Sequence, residues 1–340
     1  MKAVVLVGGE GTRLRPITET IPKPLVPLMD RASLDHVLDH LSRHGVDEVV
    51  LSSSYLEEEF RSFLKRRRGD PEVTWITETA PLGTGGAIVN ALGKVARRRR
   101  DEAFLALNGD ILTDLDLTAM LQRHHDAGAV ATIALTHVED ARPFGLVPLD
   151  PDGRVLEFRE KPAELVPGDI NAGTYVLTPS ALAAWEAGTN VSIEREIFPA
   201  LIADGLVLQG FVSDAYWMDL GTPEKYLQAH FDLLDGRVRG EPAYPSPFVA
   251  DGADVDPSAS LGPWVVVGAG ASVGPNATVA DSVVHPGAAI GEQATVTGSI
   301  LGPGSRVGAG ANVRESVLGE GAIVPGGSVM DGARVAAPAS

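Results

Sequence analysis

Apolar residues recur along this chain in two different rhythms. Through about residue 235, short apolar runs alternate with stretches of helical spacing. Runs at 3–7, Glu48-Val49-Val50-Leu51, Val73-Thr74-Trp75-Ile76, Ala103-Phe104-Leu105-Ala106-Leu107 and Val130-Ala131-Thr132-Ile133-Ala134-Leu135 predict strands. Leu34, Val37, Leu38 and Leu41 share one helical face, with Ser33 placed as N-cap and Gly45 just past the end. Strands and helices in this alternation predict a Rossmann-like, mostly parallel sheet with helices on both faces. Ligands in such sheets bind at the carboxyl ends of the strands.

Beyond Gly240 the rhythm lengthens to six. Val255, Leu261, Val267, Val273 and Val279 are six residues apart; the pattern steps by five to Val284, then runs through Ile290 and Val296. It steps by five again to Leu301 and continues through Val307 and Val313. Glycine follows the aliphatic residue at 262, 268, 274, 291, 302 and 308. This hexapeptide period predicts a left-handed parallel β-helix of about four or five coils, with the aliphatic residues inward and the five-residue steps at shortened corners. The expected division is a catalytic domain over 1–240 and a β-helix over 248–335, joined by a Pro-rich linker at 241–247.

The first apolar run feeds directly into Gly8-Gly9-Glu10-Gly11-Thr12-Arg13-Leu14-Arg15-Pro16, followed by Pro22-Lys23-Pro24. Glycines let backbone N–H groups turn toward an anion, and Arg13 and Lys23 add the fixed charge a polyphosphate needs. No Gly-Lys-Ser/Thr follows, so this is not the Walker loop, nor is it the G-x-G-x-x-G dinucleotide fingerprint. Leu82-Gly83-Thr84-Gly85-Gly86-Ala87 opens a helix after the strand at 73–76, and its glycines could let a flat base lie against the backbone. Asn108-Gly109-Asp110 ends the strand at 103–107; read alone it is a turn, and read against a phosphate loop it places a carboxylate for a divalent cation.

Composition narrows the classes. The 340 residues carry a net charge of −17, which argues against nucleic-acid binding and requires local cations for any anionic substrate. The basic runs Lys65–Arg68 and Arg97–Arg100 read as helix C-termini. There is no cysteine, hence no disulfide and no thiolate metal site, and no apolar run long enough to span a membrane. The first strand begins almost at once, leaving no room for a signal peptide, so a cytoplasmic location is expected. His124 and His125 read as surface residues, and His285 as a structural histidine in a coil corner.

Taken in order, these motifs resemble the signature of the sugar-1-phosphate nucleotidyltransferases (nucleotide-sugar pyrophosphorylases), over nearly all of residues 1–235. The resemblance implies that Leu6, Gly8, Gly9, Gly11, Thr12, Arg13, Glu78, Leu82, Gly83, Thr84 and Asn108 bind the nucleotide. It implies that Gly145, Glu160, Lys161, Asn171 and Gly173 bind the sugar phosphate. Asp110 and Asp219, the latter in Trp217-Met218-Asp219-Leu220-Gly221-Thr222, would hold Mg²⁺. The implied catalytic set is Arg13, Lys23, Asp110, Lys161 and Asp219.

The implied reaction is attack of a sugar-1-phosphate oxygen on the α-phosphorus of a nucleoside triphosphate, releasing pyrophosphate. The form Leu-Gly-Thr-Gly-Gly-Ala, the stretch Val191–Pro199 and the β-helix look most like the mannose-1-phosphate guanylyltransferase branch, with GTP as donor. Glucose-1-phosphate thymidylyl- and uridylyltransferases share most of the motifs, and a heptose-1-phosphate guanylyltransferase is a further alternative. A regulatory subunit that binds nucleotide-sugars without making them would have lost the loop cations or the metal aspartates, which are present here. An acyltransferase in the β-helix would rest on His285 alone. The exposed edges of a β-helix also predict self-association.

Overall fold

The computed structural model describes residues 1–53, 57–78, 80–95, 102–160 and 166–338; the Arg97–Arg100 run lies outside them. The chain divides into two compact units, Met1–Gly9 with Val37–Trp217, and Glu10–His36 with Met218–Ser340.

The first unit is built on a nine-stranded sheet. Lys2–Leu6 lies at its centre, parallel to Phe104–Asn108 on one side and to Glu48–Ser53 on the other, with Glu72–Thr77 parallel beyond. Gly168–Leu177 then enters antiparallel, between Phe104–Asn108 and Ala131–Val138, and Leu208–Ser213 runs parallel beyond the latter. All five strand predictions therefore hold in a Rossmann-like sheet, whose parallel strands are joined by antiparallel ones around Gly168–Leu177. The central strands read as unbroken apolar runs because both their faces are buried: Val4, Ala106, Ile133 and Tyr175 are fully inaccessible.

Two local readings need correction. His124 is not a surface residue: it is 2 % exposed, and its Nδ1 lies 2.9 Å from the Thr132 hydroxyl. Burial lowers its pKa to about 4, while its neighbour His125 faces solvent. Helical spacing put both on one segment, and only the packing of helix Leu117–Asp126 on the sheet separates them. Ser33, expected as an N-cap, is the first helical residue of Ser33–Arg43, and its hydroxyl donates to the Pro24 carbonyl at 2.8 Å. The Lys65–Arg68 run does close a helix, Glu57–Arg66, with Arg67 and Arg68 donating to nearby carbonyls.

The second unit carries the β-helix. Its strands form three parallel sheets of six, five and five. Register repeats every 17 residues after the first coil, as in Val267↔Val284↔Leu301↔Leu318↔Val335. One short corner per coil produces the five-residue steps. Asp281, Gly298, Glu315 and Gly332 all turn there with positive φ. The next residue in three of these corners is a buried serine whose hydroxyl accepts the amide one coil on: Ser282 from Ser299 at 3.0 Å, Ser299 from Ser316 at 3.1 Å and Ser316 from Ala333 at 3.0 Å. The inward column is the aliphatic set read from the period, joined by buried alanines at 271, 277, 288, 294 and 311.

Residues 241–247 are more than a linker. Glu241 is 3 % exposed at its side chain, and its carboxylate meets Arg31 at 2.8 Å and His36 at 2.7 Å.

Candidate functional site

In the second unit the glycine loop makes a left-handed turn at Gly11 (φ 63°) and enters a single 3-10 turn, Thr12–Leu14. The Thr18 hydroxyl donates to the Gly11 carbonyl at 2.8 Å and ties the turn down. A β-carbon at 11 would stand 3.0 Å from Thr18 and 3.1 Å from Lys23, so glycine is required by both conformation and space.

This turn presents Arg13 to a carboxylate. Asp219, 14 % exposed, lies 3.7 Å from Arg13 Nη2, 3.5 Å from Lys23 Nζ and 3.4 Å from Lys225 Nζ. Three cations thus gather around one carboxylate, in a chain of net charge −17. A cluster of fixed cations is what two anionic reactants need. Lys23 is almost fully buried, at 8 % exposure, and so held in place, whereas Arg13 is 65 % exposed and able to meet a ligand. Lys225 stands one turn into helix Pro223–Leu234, which Thr222 caps. Gly221 completes the arrangement, since a β-carbon there would lie 2.5 Å from Arg13 Nη2 and 2.7 Å from Asp219 Oδ1. Arg13, Lys23 and Asp219 were legible as motifs; Lys225 and Gly221 were not.

In the first unit, Asn108 ends the central strand and Asp110 follows Gly109 in the turn to Ile111–Thr113. Gly109 is fixed by contact, for its β-carbon would reach Val7 at 2.8 Å. Glu78 is buried; its carboxylate accepts from the Ser52 hydroxyl at 2.9 Å and from the Leu82 amide at 3.2 Å. It thus anchors the entry to helix Gly83–Val95. The three glycines of its first turn face protein: β-carbons at 83, 85 and 86 would strike the 189–197 segment at 2.8, 2.7 and 2.1 Å. They bring the helix and this segment together, a role the sequence did not reveal.

That contact builds a second feature. Ser192 caps a π-helical turn, Ile193–Ile197, which leads into helix Phe198–Ala203. Single π turns recur at functional sites. From it Glu194 accepts the hydroxyls of Thr84 at 2.8 Å, Ser192 at 2.8 Å and Tyr175 at 3.1 Å. Tyr175 in turn accepts from the Asn171 amide at 2.8 Å, and Asn171 Oδ1 accepts the Gly173 amide at 2.9 Å. Burial, reinforced by the Glu194 charge, pushes the Tyr175 phenol well above its usual range. Thr84, Phe144, Gly145, Phe158, Asn171 and Glu194 line a cavity of about 410 Å³, the size that small-molecule sites occupy. Of these, Gly145 and Asn171 were expected at the sugar phosphate and Thr84 at the nucleotide; Glu194, Tyr175 and Phe158 were not named as site residues. Lys161 lies outside the described residues.

Among the described residues, no cluster of three or more His, Asp or Glu side chains could hold a metal. Carboxylates beside phosphate oxygens make a hard donor set, which suits a small divalent ion. No helix among the described residues is long and apolar enough to cross a membrane.

A cationic glycine turn, strand-end carboxylates and a separate polar pocket are the equipment of an enzyme that transfers phosphorus between anionic substrates. Comparison with known proteins agrees. Residues 2–236 match the Nucleotidyl transferase family, and residues 243–339 match the GMPPB C-terminal domain. A mannose-1-phosphate guanylyltransferase of Mycobacterium tuberculosis is 40 % identical over 83 % of this chain and 79 % of its own. Mannose-1-phosphate guanylyltransferase 1 of Arabidopsis thaliana is 36 % identical with the same coverage. Among solved structures, HddC from Yersinia pseudotuberculosis complexed with GMP-PN is 32 % identical and superposes with a TM-score of 0.58, covering 67 % of this chain and 97 % of that one. The chain belongs to the nucleotidyl transferase family. It is a nucleotidyltransferase that joins a nucleoside triphosphate and a sugar 1-phosphate into a nucleotide-sugar, and members of this family work with a divalent metal.

Proposed function

We propose that the nucleotide is GTP, the acceptor mannose 1-phosphate and the metal Mg²⁺, so that the products are GDP-mannose and pyrophosphate. The observation that carries this is the shared name of relatives 36–40 % identical over most of the chain, from a bacterium and a plant. The Val191–Pro199 stretch supports it, because its Glu194 stands in the polar pocket.

In this reading Arg13 binds the β- and γ-phosphates and holds their growing charge as pyrophosphate leaves. Lys23, fixed by burial, bridges the reacting phosphates. Lys161 meets the phosphate of the sugar, and Glu160, Asn171 and the backbone at Gly145 and Gly173 bind sugar hydroxyls. Leu6, Gly8, Gly9, Gly11, Thr12, Glu78, Leu82, Gly83, Thr84 and Asn108 form or shape the nucleotide site. Asp110 and Asp219 would hold the cation, which when bound supplies charge neutralisation at the α-phosphate. No covalent intermediate is required. The enzyme works in the cytoplasm and self-associates through its β-helix, where Ile323 and Val329 are 61 % and 76 % exposed.

Pyrophosphate release with Mg²⁺, offering each of the five common nucleoside triphosphates against mannose 1-phosphate and glucose 1-phosphate, tests the proposal. Preference for GTP with mannose 1-phosphate supports it. Preference for dTTP or UTP with glucose 1-phosphate would keep the reaction and overturn the substrates.

A further inference from the structure

One outward column of the β-helix is apolar in every coil but the last. Phe248, Val266, Val283, Ile300, Val317 and Arg334 are successive cross-strand neighbours. Val266, Val283, Ile300 and Val317 are between 0 and 5 % exposed. Helix Pro223–Leu234 covers this face, with the Tyr226 hydroxyl 3.0 Å from His285 Nε2. At Arg334 the column turns cationic, and its neighbour is no longer the helix alone. One guanidinium nitrogen, Nη1, donates to the carbonyls of Arg13 at 3.0 Å and Arg15 at 2.6 Å. The coil touches the glycine loop a second time at Gly319, where a β-carbon would lie 3.2 Å from that of Pro16. The Glu224 carboxylate, held below its usual range first by the Thr222 hydroxyl, also feels the Arg334 charge.

We propose that Arg334 is a positioning residue for the transfer reaction: it pins the loop backbone at residues 13 and 15 so that the Arg13 side chain is set for the triphosphate. This rests on the reading above that Arg13 binds the leaving phosphates. The contact pre-organises the loop. A glycine-rich turn has many conformations to lose on binding. Two carbonyls tied to one guanidinium have already lost part of that freedom, so the ligand need not. The apolar column explains why the residue arrives there, since register along the coil fixes its height to within one strand spacing.

Arg334→Ala and Arg334→Lys should be compared with wild type and with Arg13→Ala in the pyrophosphate-release assay. For Arg334→Ala the KM for the nucleoside triphosphate should rise about five-fold, which corresponds to about 1 kcal/mol for a lost charge-assisted hydrogen bond. The KM for the sugar 1-phosphate should stay within two-fold in the same variant. Arg334→Lys, which keeps a donor cation, should recover most of the difference, as should dilute guanidinium added to Arg334→Ala. Hydrogen exchange at the amides of residues 11–15 should speed up in Arg334→Ala while the coil amides do not change. Equal loss in both KM values, tracking a fall in Tm and unaffected by guanidinium, would overturn the proposal. So would unchanged exchange in the loop. A crippled Arg13→Ala beside a normal Arg334→Ala would sink only this proposal; a normal Arg13→Ala would sink the reading of Arg13 and this proposal with it.

Discussion

Gly221 is the smallest feature of the cationic cluster and the most sensitive to change. In Gly221→Ala the new methyl would sit 2.5 Å from Arg13 Nη2 and 2.7 Å from Asp219 Oδ1. Ordinary contact is about 3.5 Å, so each group must retreat by roughly 1 Å. For folding this is cheap: Arg13 is 65 % exposed and can swing into solvent, which keeps the expected stability loss below about 1 kcal/mol. For catalysis it is not. A displacement of about 1 Å in a positioned group costs on the order of 10²-fold in rate. Steady-state pyrophosphate release should therefore show kcat down about a hundred-fold, with Tm shifted by no more than about 4 °C. A variant with kcat within three-fold of wild type and the same Tm would show that the spacing of Arg13 and Asp219 is irrelevant to turnover, and would remove both from the site.

Other predictions follow from the same geometry. Lys23→Ala should lower kcat by about 10²- to 10³-fold in a protein with native circular dichroism, since a buried, fixed cation cannot be replaced by solvent; near-normal turnover would defeat its assignment. Glu194→Gln keeps the shape of the polar pocket but cannot accept from Thr84, Ser192 and Tyr175 together. It should raise the KM for the sugar 1-phosphate about ten-fold and that for GTP by less, through Thr84; a larger effect on GTP would assign Glu194 to the nucleotide. Acid should unfold the second unit early. Burial lowers the pKa of His230 to about 4 and that of His285 to about 3, so the unfolded chain binds more protons from pH 6.5 downward. The stability contributed by their neutral forms is complete above pH 6.5 and is lost as pH falls toward 4, on the order of 3 kcal/mol for His230 alone. Denaturant midpoints measured between pH 7.5 and 4.5 should fall steeply in wild type and less in His230→Leu; parallel lines would contradict it.

What the sequence made legible was local or periodic. The six-residue period predicted the aliphatic inward residues from Val255 to Val313, though not the buried alanines between them, because every turn of a β-helix repeats the same environment. The five-residue steps located the short corner, though not the stacked Ser282, Ser299 and Ser316 that hold it. Arg13 and Lys23 stood out because each sits in a string of unusual composition, whereas Asp219 was named only through the resemblance. The residues that were missed act through contacts far apart in sequence. Lys225 looks like any exposed lysine on a helix until Asp219 is placed 3.4 Å away. Glu194 lies 110 residues from its partner Thr84. His124 carries the same polar label as His125, and only the sheet beneath the helix makes one of them buried and neutral. Glu241 sits in a Pro-rich stretch that reads as solvent-exposed, yet it is buried against Arg31 and His36.

Guanylyl transfer to mannose 1-phosphate sets this enzyme apart from transferases of other bases and sugars. The most direct test is a competition in one tube: GTP, ATP, CTP, UTP and dTTP at equal concentration with Mg²⁺, carbon-13-labelled mannose 1-phosphate and unlabelled glucose 1-phosphate, with the nucleotide-sugars read by mass. Labelled GDP-hexose should be the dominant product. A dominant unlabelled product, or one built on any other base, would contradict it.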